Sequence, residues 1–293
     1  MRFRSAFHAF VMIGFVCFFA VTGMAQAETM ILFPVQTADL TGIEDCSRGQ
    51  NAYCDRCDVA NHNNVSLVNY TILRHALQAG GMAAQILPVE SPNSERSRMM
   101  VFMGQATVKT DWNFNIDGND QVYKTQAFMM PGDFKKGVYG LADNAILQSV
   151  TRLEDLRRLR AVMNPNWRLD WQILEQFDMP TLFSASTTPQ MFRLIAENRA
   201  DFTLLEFSSA PDMGREVEGI RLVPVPGITV ALPGSQHFMV SRAVPNAPEI
   251  VAALNRGITI LRNNGFIGKC LRQGGILHDE TADWAVLNPG AGH

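Results

Sequence analysis

Short apolar runs of strand type alternate with segments of helical periodicity along most of this chain, and that alternation restricts the fold more than any other feature. "TMILFPV" (residues 29–35) is β-prone and ends at a loop. "VSLVNYTILRHALQAGG" places Leu67, Tyr70, Leu73 and Leu77 at helical spacing, with Gly80 and Gly81 as the stop. "AAQILPV" reads as a second strand, "SERSRMMVFMG" as a short helix ending at Gly104, and "TVKTDWNFN" as a third strand. The order βαβαβ predicts a parallel sheet with helices packed on it.

A second unit follows the turn at Pro131 and Gly132. "KKGVYGLADN" is a strand, "SVTRLEDLRRLRAVMN" a helix capped at Thr151 and then a strand, and "DWQILEQFDM" a helix. "PTLFSAS" is strand and loop, and "TPQMFRLIAENRADFTLLEF" a helix followed by an apolar strand. Pro224 and Pro226 in "IRLVPVPG" disfavour helix and suit an extended crossover. "HFMVSR" is a strand, and "APEIVAALNRGITILRNNGFIGKCL" a long helix ending in a short one. This last segment has no sheet of its own and has to return to the first unit.

The N-terminus sets the compartment. Arg2 and Arg4 precede an almost wholly apolar run over 9–21, and "AQA" at 25–27 is a small-x-small cleavage pattern. This is the form of a secretory signal peptide over 1–27. A membrane span needs ~20 apolar residues, and this run is shorter. Cys17 leaves with the peptide, since Val16 stands where a lipoprotein needs a small residue. The mature chain is expected in the periplasm, with 23 basic and 28 acidic residues and a net charge of −5. That balance argues against nucleic acid and against an anionic membrane surface as partners. No later apolar run spans a bilayer, so no stable membrane insertion is expected.

Export puts Cys46, Cys54, Cys57 and Cys270 in an oxidising compartment where disulfides persist. Four cysteines allow three pairings. Cys54–Cys57 with Cys46–Cys270 is the favoured set. The rivals are a metal site on Cys46, Cys54 and Cys57 with Asp55 or His62, and a redox-active CxxC. Only one CxxC is present, where structural zinc sites use paired ligand motifs. "NFNIDGNDQVYK" is similar to a calcium loop but carries Lys124 where a bidentate Glu is required, so it reads as a turn. No metal and no cofactor are expected.

The words "SVTRLEDLRRLRAVM", "MFRLIAENRADF", "HFMVSRAVPNAPEIVAALNRGITILRNNGFIGKCL" and "NYTILRHALQAGG", in that order along the chain, resemble the periplasmic solute-binding proteins of family 3. These are the type II periplasmic binding proteins linked to polar amino-acid ABC transporters. The resemblance is strong from about Lys136 onward, weaker before it, and rests on the order of the words. It implies a two-lobed α/β fold, each lobe a mostly parallel sheet with flanking helices. The first lobe would hold 28–128 and 226–293, and the second 129–225. A two-strand hinge would lie near 128–131 and 223–227. It also implies a monomer that captures a small-molecule ligand between the lobes and hands it to an ABC permease or a membrane sensor.

Ligands in open α/β sheets bind beyond the carboxyl ends of the strands. In the first lobe this selects Thr37 and Asp39 after the first strand, and Asp111, Trp112 and Asn113 after the third. In the second lobe it selects Asn164, Trp167 and Asp170 before a helix, Thr187 and Thr188 at a helix start, and Glu206 after "FTLL". Each has a plainer role: Thr187 or Thr188 as a helix cap, Asp170 as a partner of the helix dipole, Trp112 as core. Trp167, in a Pro- and Asn-rich loop, is the favoured stacking wall. Amino-acid-binding members carry an Arg in the first lobe that grips the ligand carboxylate. The matching region here, "TDWNFNIDGNDQ", has none, and Thr107 replaces the usual acid. A neutral or cationic molecule therefore suits the cleft better.

Two other function classes remain open. An enzyme on the same fold, of lytic transglycosylase or dehydratase type, needs a placed acid or base. Glu206 alone qualifies, and no GxSxG, HExxH or Walker motif is present. His62, His75, His237 and His278 are scattered without ligand spacing. A non-transport accessory protein that docks another periplasmic protein is the third class.

Overall fold

The computed structural model describes residues 28–37, 39–40, 42–43, 54, 65–208 and 210–288. The expected signal segment, Cys46, Cys57, Asp55 and His62 lie outside them.

The first unit begins with β1 (Thr29–Gln36), α1 (Val65–Ala79) and β2 (Ala84–Ser91). The two strands pair in parallel from Thr29–Ala84 to Gln36–Ser91. Helix α1 buries Leu67, Val68, Tyr70, Ile72, Leu73, Ala76 and Leu77, a wide apolar stripe facing the core. It ends in a Schellman turn: Gly81 is left-handed at φ +80, its N–H bonds Gln78 O, and Met82 N–H bonds Leu77 O. Next come α2 (Ser94–Phe102), capped by Asn93, and β3 (Val108–Trp112). β3 is stitched to β1 through Thr107, whose N–H bonds Leu32 O and whose Oγ1 accepts from Leu32 N. One helical turn, α3 (Asn113–Ile116), leads to β4 (Val122–Lys124). The calcium-like segment is this turn and strand, with Lys124 paired to Asp117.

The second unit holds β5 (Lys135–Gly140), α4 (Ala145–Gln148), α5 (Leu153–Leu156), β6 (Arg160–Met163), α6 (Arg168–Gln176), β7 (Thr181–Ser184), α7 (Thr188–Ala196), β8 (Thr203–Leu205), β9 (Arg215–Val217) and β10 (Ile220–Pro224). β6 and β7 are parallel, β8 touches β6 at the Ala161–Phe202 bridge, and β8 and β10 run antiparallel to β5. The expected Thr151 cap is not formed. Arg152 stands at the N-cap of a single turn, and the Thr151 hydroxyl donates to Asp155 Oδ2 at 3.5 Å instead.

β11 (Ile228–Ala231) still belongs to the second unit, antiparallel to β5, so the expected hinge at 223–227 lies inside that sheet. The chain then returns through β12 (Gln236–Ser241), α8 (Ala247–Asn263) and α9 (Phe266–Gln273), and ends in β13 (Ala285–Val286). β12 inserts antiparallel between β3 and β4 and completes the first sheet, as the missing partner sheet of the last segment required. The two crossover segments run side by side: Met129 bridges Gln236, Gly132 N–H bonds Leu232 O, and Leu232 N–H bonds Phe134 O. β13 lies parallel to β11, and Trp284 and His278 pack edge-on against Phe207 of the second unit.

Helix α8 crosses α1 backbone to backbone. A Cβ on Gly257 would lie 1.8 Å from Ala76 O, and one on Gly80 would lie 2.0 Å from Ala253 O, so only glycine fits at this crossing. The disulfide corrects the favoured pairing. Cys54 is bonded to Cys270 of α9, with a Cα–Cα distance of 5.2 Å. A Cys54–Cys57 bridge, a Cys46–Cys270 bridge and a metal site using Cys54 are thereby excluded in this state. Cys270 sits on the buried face of α9, where the early loop delivers Cys54, also buried.

Candidate ligand-binding site

A pocket of about 230 Å³ opens at the carboxyl ends of β1 and β3, against the N-terminal turns of α1 and α2. Two buried amides, Asn69 and Gln236, are among its lining residues. Asn69, on the apolar stripe of α1, donates from Nδ2 to Thr110 Oγ1 at 2.8 Å, and its Oδ1 has no partner. Gln236, at the start of β12, also has a buried Oε1 without a partner. Their residues are only 5% and 6% exposed. An unsatisfied buried acceptor costs about 1–3 kcal/mol, so a bound hydrogen-bond donor completes both.

Asp111 lines the same pocket but has no capacity left. Its Oδ1 accepts from Trp112 N and Asn115 Nδ2, and its Oδ2 from Arg98 Nε at 2.9 Å and Lys109 Nζ at 3.1 Å. Burial works against the charge, but Lys109 and Arg98 overcome it and hold the carboxyl at about 2. Asp111 is a buried anchor for two cations. Lys109 Nζ spends two of its three N–H groups on Thr110 O and Asp111, leaving one.

Trp112 packs edge-on against Phe134 of the first crossover, with ring centroids 5.7 Å apart. Asn113 Oδ1 accepts from Ser235 N of the second crossover, and its N–H bonds Ser235 O. Beside them His237 is buried, with Nδ1 2.7 Å from Thr125 O and Nε2 2.8 Å from Ser235 Oγ. A carbonyl can only accept, so Nδ1 carries the proton and Nε2 accepts from the serine. Burial lowers the His237 pKa and keeps the ring neutral.

The second-unit residues gather around one lysine. Lys136 Nζ, at the start of β5, lies 2.7 Å from Asp170 Oδ1 and 3.2 Å from Glu206 Oε1. It is also 5.1 Å from the ring centroid of Trp167. Burial disfavours the lysine charge, but the two carboxylates raise its pKa above the ordinary value. Burial raises Asp170 against the pull of Lys136. Burial also works to raise Glu206, but Lys136 and Arg215 hold it below the ordinary value, so it stays ionised and has no proton to give.

The units meet next to this cluster. The Arg168 guanidinium sits 5.7 Å from the Phe114 ring centroid. A Cβ on Gly234 would lie 2.8 Å from Trp112 Cε3 and 3.1 Å from Leu169 Cδ1, so first unit, crossover and second unit touch at one glycine.

Of the sequence candidates, Asp111 and Trp112 line the pocket, and Trp167, Asp170 and Glu206 share the lysine cluster. Asp39 accepts from the pocket residue Ser66 at 2.6 Å, while Thr37 donates to Glu90 at the exposed rim. Asn164 holds its own loop, bonding Ser186 O and Asn166 N. Thr187 is the N-cap of α7, accepting from Gln190 N, and Thr188 is its first residue. Neither joins the pocket lining or the cluster. Asn69, Gln236 and Lys136 were not anticipated. Asn69 was findable as a polar residue on the apolar face of α1. Lys136 was findable as a charge leading into the apolar run "GVYG".

No family model matches the chain, and no curated protein does. Solved structures do. A probable amino-acid ABC transporter extracellular-binding protein, ytmK from Bacillus subtilis, superposes with a TM-score of 0.55 at 12% identity, covering 84% of this chain and 98% of its own. The VFT2 domain of Bordetella pertussis BvgS, a double mutant, gives 0.52 at 11% identity over 83% and 93%. A histidine kinase sensor domain with similarity to periplasmic binding proteins gives 0.51 at 14% identity over 86% and 98%.

Proposed function

From the two-lobed fold of type II periplasmic binding proteins that this chain adopts, we propose that it is a periplasmic solute-binding receptor. It captures a small polar or cationic molecule between its lobes and passes it to an ABC permease or a membrane sensor. The lobes swivel on the paired crossovers around Met129 and Gln236, so the second boundary falls at about 232–236 rather than at the expected 223–227, because β10 and β11 both pair with β5 of the second unit. Among the described residues no helix is long and apolar enough to cross a membrane.

The observation that carries this reading is the pair of unpartnered buried amide oxygens, Asn69 Oδ1 and Gln236 Oε1, on one pocket at the strand ends. Both oxygens are occluded in this state, and a ligand whose N–H or O–H groups reach them through a small side-chain movement satisfies both. The free N–H of Lys109 suits one acceptor on the same ligand. At about 230 Å³ the pocket lies at the small end of ligand sites. Closure is a population shift, so the ligand has to touch both lobes, and Gly234, Trp112 and Leu169 already meet at the seam.

Thermal scanning against a panel of uncharged, cationic and anionic solutes tests the reading. A specific solute is expected to raise the melting temperature of the wild type, and the rise is expected to vanish in Asn69→Leu and Gln236→Leu. A stabilising solute that acts equally on both variants contradicts this site.

A further inference from the structure

Lys136, Asp170 and Glu206 form a charge cluster apart from the first-lobe pocket. Their side chains are 4%, 8% and 29% exposed, so the lysine is enclosed while the cluster still reaches solvent at Glu206. Lysine is rarely this buried without partners. Here the partners come from three places. β5 supplies the ammonium, the first turn of α6 supplies Asp170, and the end of β8 supplies Glu206.

Two carboxylates and the face of Trp167 around one nitrogen are the chemistry that binds an ammonium ligand. In this chain the ammonium is covalently attached. Arg215 adds a second positive charge at Glu206, bonding the carbonyls of Glu206 and Phe207. Two cations then face two carboxylates, and an incoming cation finds no uncompensated acid.

We propose that Lys136 is a tethered cation that fills an ammonium subsite in the second-lobe wall of the cleft. It thereby excludes cationic head groups there and narrows the polar or cationic class of the receptor reading to uncharged polar molecules. The consequence for ligand class rests on the receptor reading. The subsite itself does not.

Substituting Lys136→Ala removes three carbons and the ammonium and exposes their cavity, and n-propylammonium chloride is the probe, with sodium chloride matched for ionic strength. Calorimetry is expected to show saturable binding to Lys136→Ala. The affinity is expected to be at least about tenfold above that of the wild type and of Lys136→Met, whose side chain fills the space without charge. Equal affinity in Lys136→Ala and Lys136→Met overturns the proposal. If Lys136→Ala does not fold, Lys136→Ala/Glu206→Gln leaves a single carboxylate and is compared with the wild type in the same way. Lack of n-propylammonium binding there overturns it too. Solute binding lost in Asn69→Leu but intact in the wild type tests the receptor reading separately.

Discussion

Asp111→Asn is the sharpest perturbation of the first-lobe wall. The carboxylate is 4% exposed and accepts from both Arg98 and Lys109. A carboxyl held at about 2 rather than 3.8 favours the folded state by about 2.4 kcal/mol at neutral pH, at about 1.36 kcal/mol per pKa unit. The substitution also leaves Lys109 without its anion and Arg98 with only the exposed Glu95, so the expected loss is about 3 kcal/mol. That lowers the melting temperature by roughly 6–12 °C in a chain of this size. The sign with pH follows from the direction of the shift. A depressed acid stabilises above its unfolded pKa, and that stabilisation is lost as pH falls towards the folded value. Urea unfolding at a series of pH values is the assay. The gap between wild type and Asp111→Asn is expected to be full at pH 7 and to close between about pH 4 and pH 2. A gap below about 0.5 kcal/mol at pH 7, or one independent of pH, refutes the reasoning.

Other outcomes follow from neighbouring features. Gly234→Ala drives a Cβ to 2.8 Å from the Trp112 ring. It is expected to cost about 1–3 kcal/mol and to weaken solute binding, read by thermal scanning and calorimetry. Gly257→Ala puts a Cβ 1.8 Å from Ala76 O and is expected to force α1 and α8 apart, with a loss of melting temperature larger than for Gly234→Ala. His237 is held neutral by burial, so its contribution is present above its unfolded pKa of about 6.5 and falls away in more acid solution. His237→Gln is expected to flatten that part of the stability–pH curve. Reducing Cys54–Cys270, a bridge across 216 positions, is expected to cost up to about 5 kcal/mol on the chain-entropy account, measured by denaturation with and without reductant.

The sequence showed the architecture more clearly than the site, for physical reasons. Period-3.6 apolar patterning in α1 and α8 and the β-prone runs of β1, β2 and β12 are set by burial, and burial is written into residue type. The return of 236–241 into the first sheet followed from a helix-rich ending with no strands to pack on. The tail strand β13 was invisible, because two residues pairing with β11 leave no periodicity. Strand-end reasoning picked Asp111, which lines the pocket, and Trp167, Asp170 and Glu206, which gather at Lys136, but not their state. Asp111 is saturated by Arg98, which arrives from α2 thirteen positions earlier. The two acids of the second lobe are compensated by Lys136, thirty-four and seventy positions away. The disulfide escaped for the same reason. Which cysteine meets Cys270 is decided by where an early loop reaches α9, and spacing along the chain carries no trace of that.

Native mass spectrometry of the purified protein, followed by a denaturing spectrum, tests the receptor account most directly. The account predicts a wild-type mass increment from one small molecule, released on denaturation and absent from an Asn69→Leu/Gln236→Leu variant prepared in the same way. A wild-type mass equal to the bare, disulfide-bonded chain, or the same increment in the variant, contradicts it.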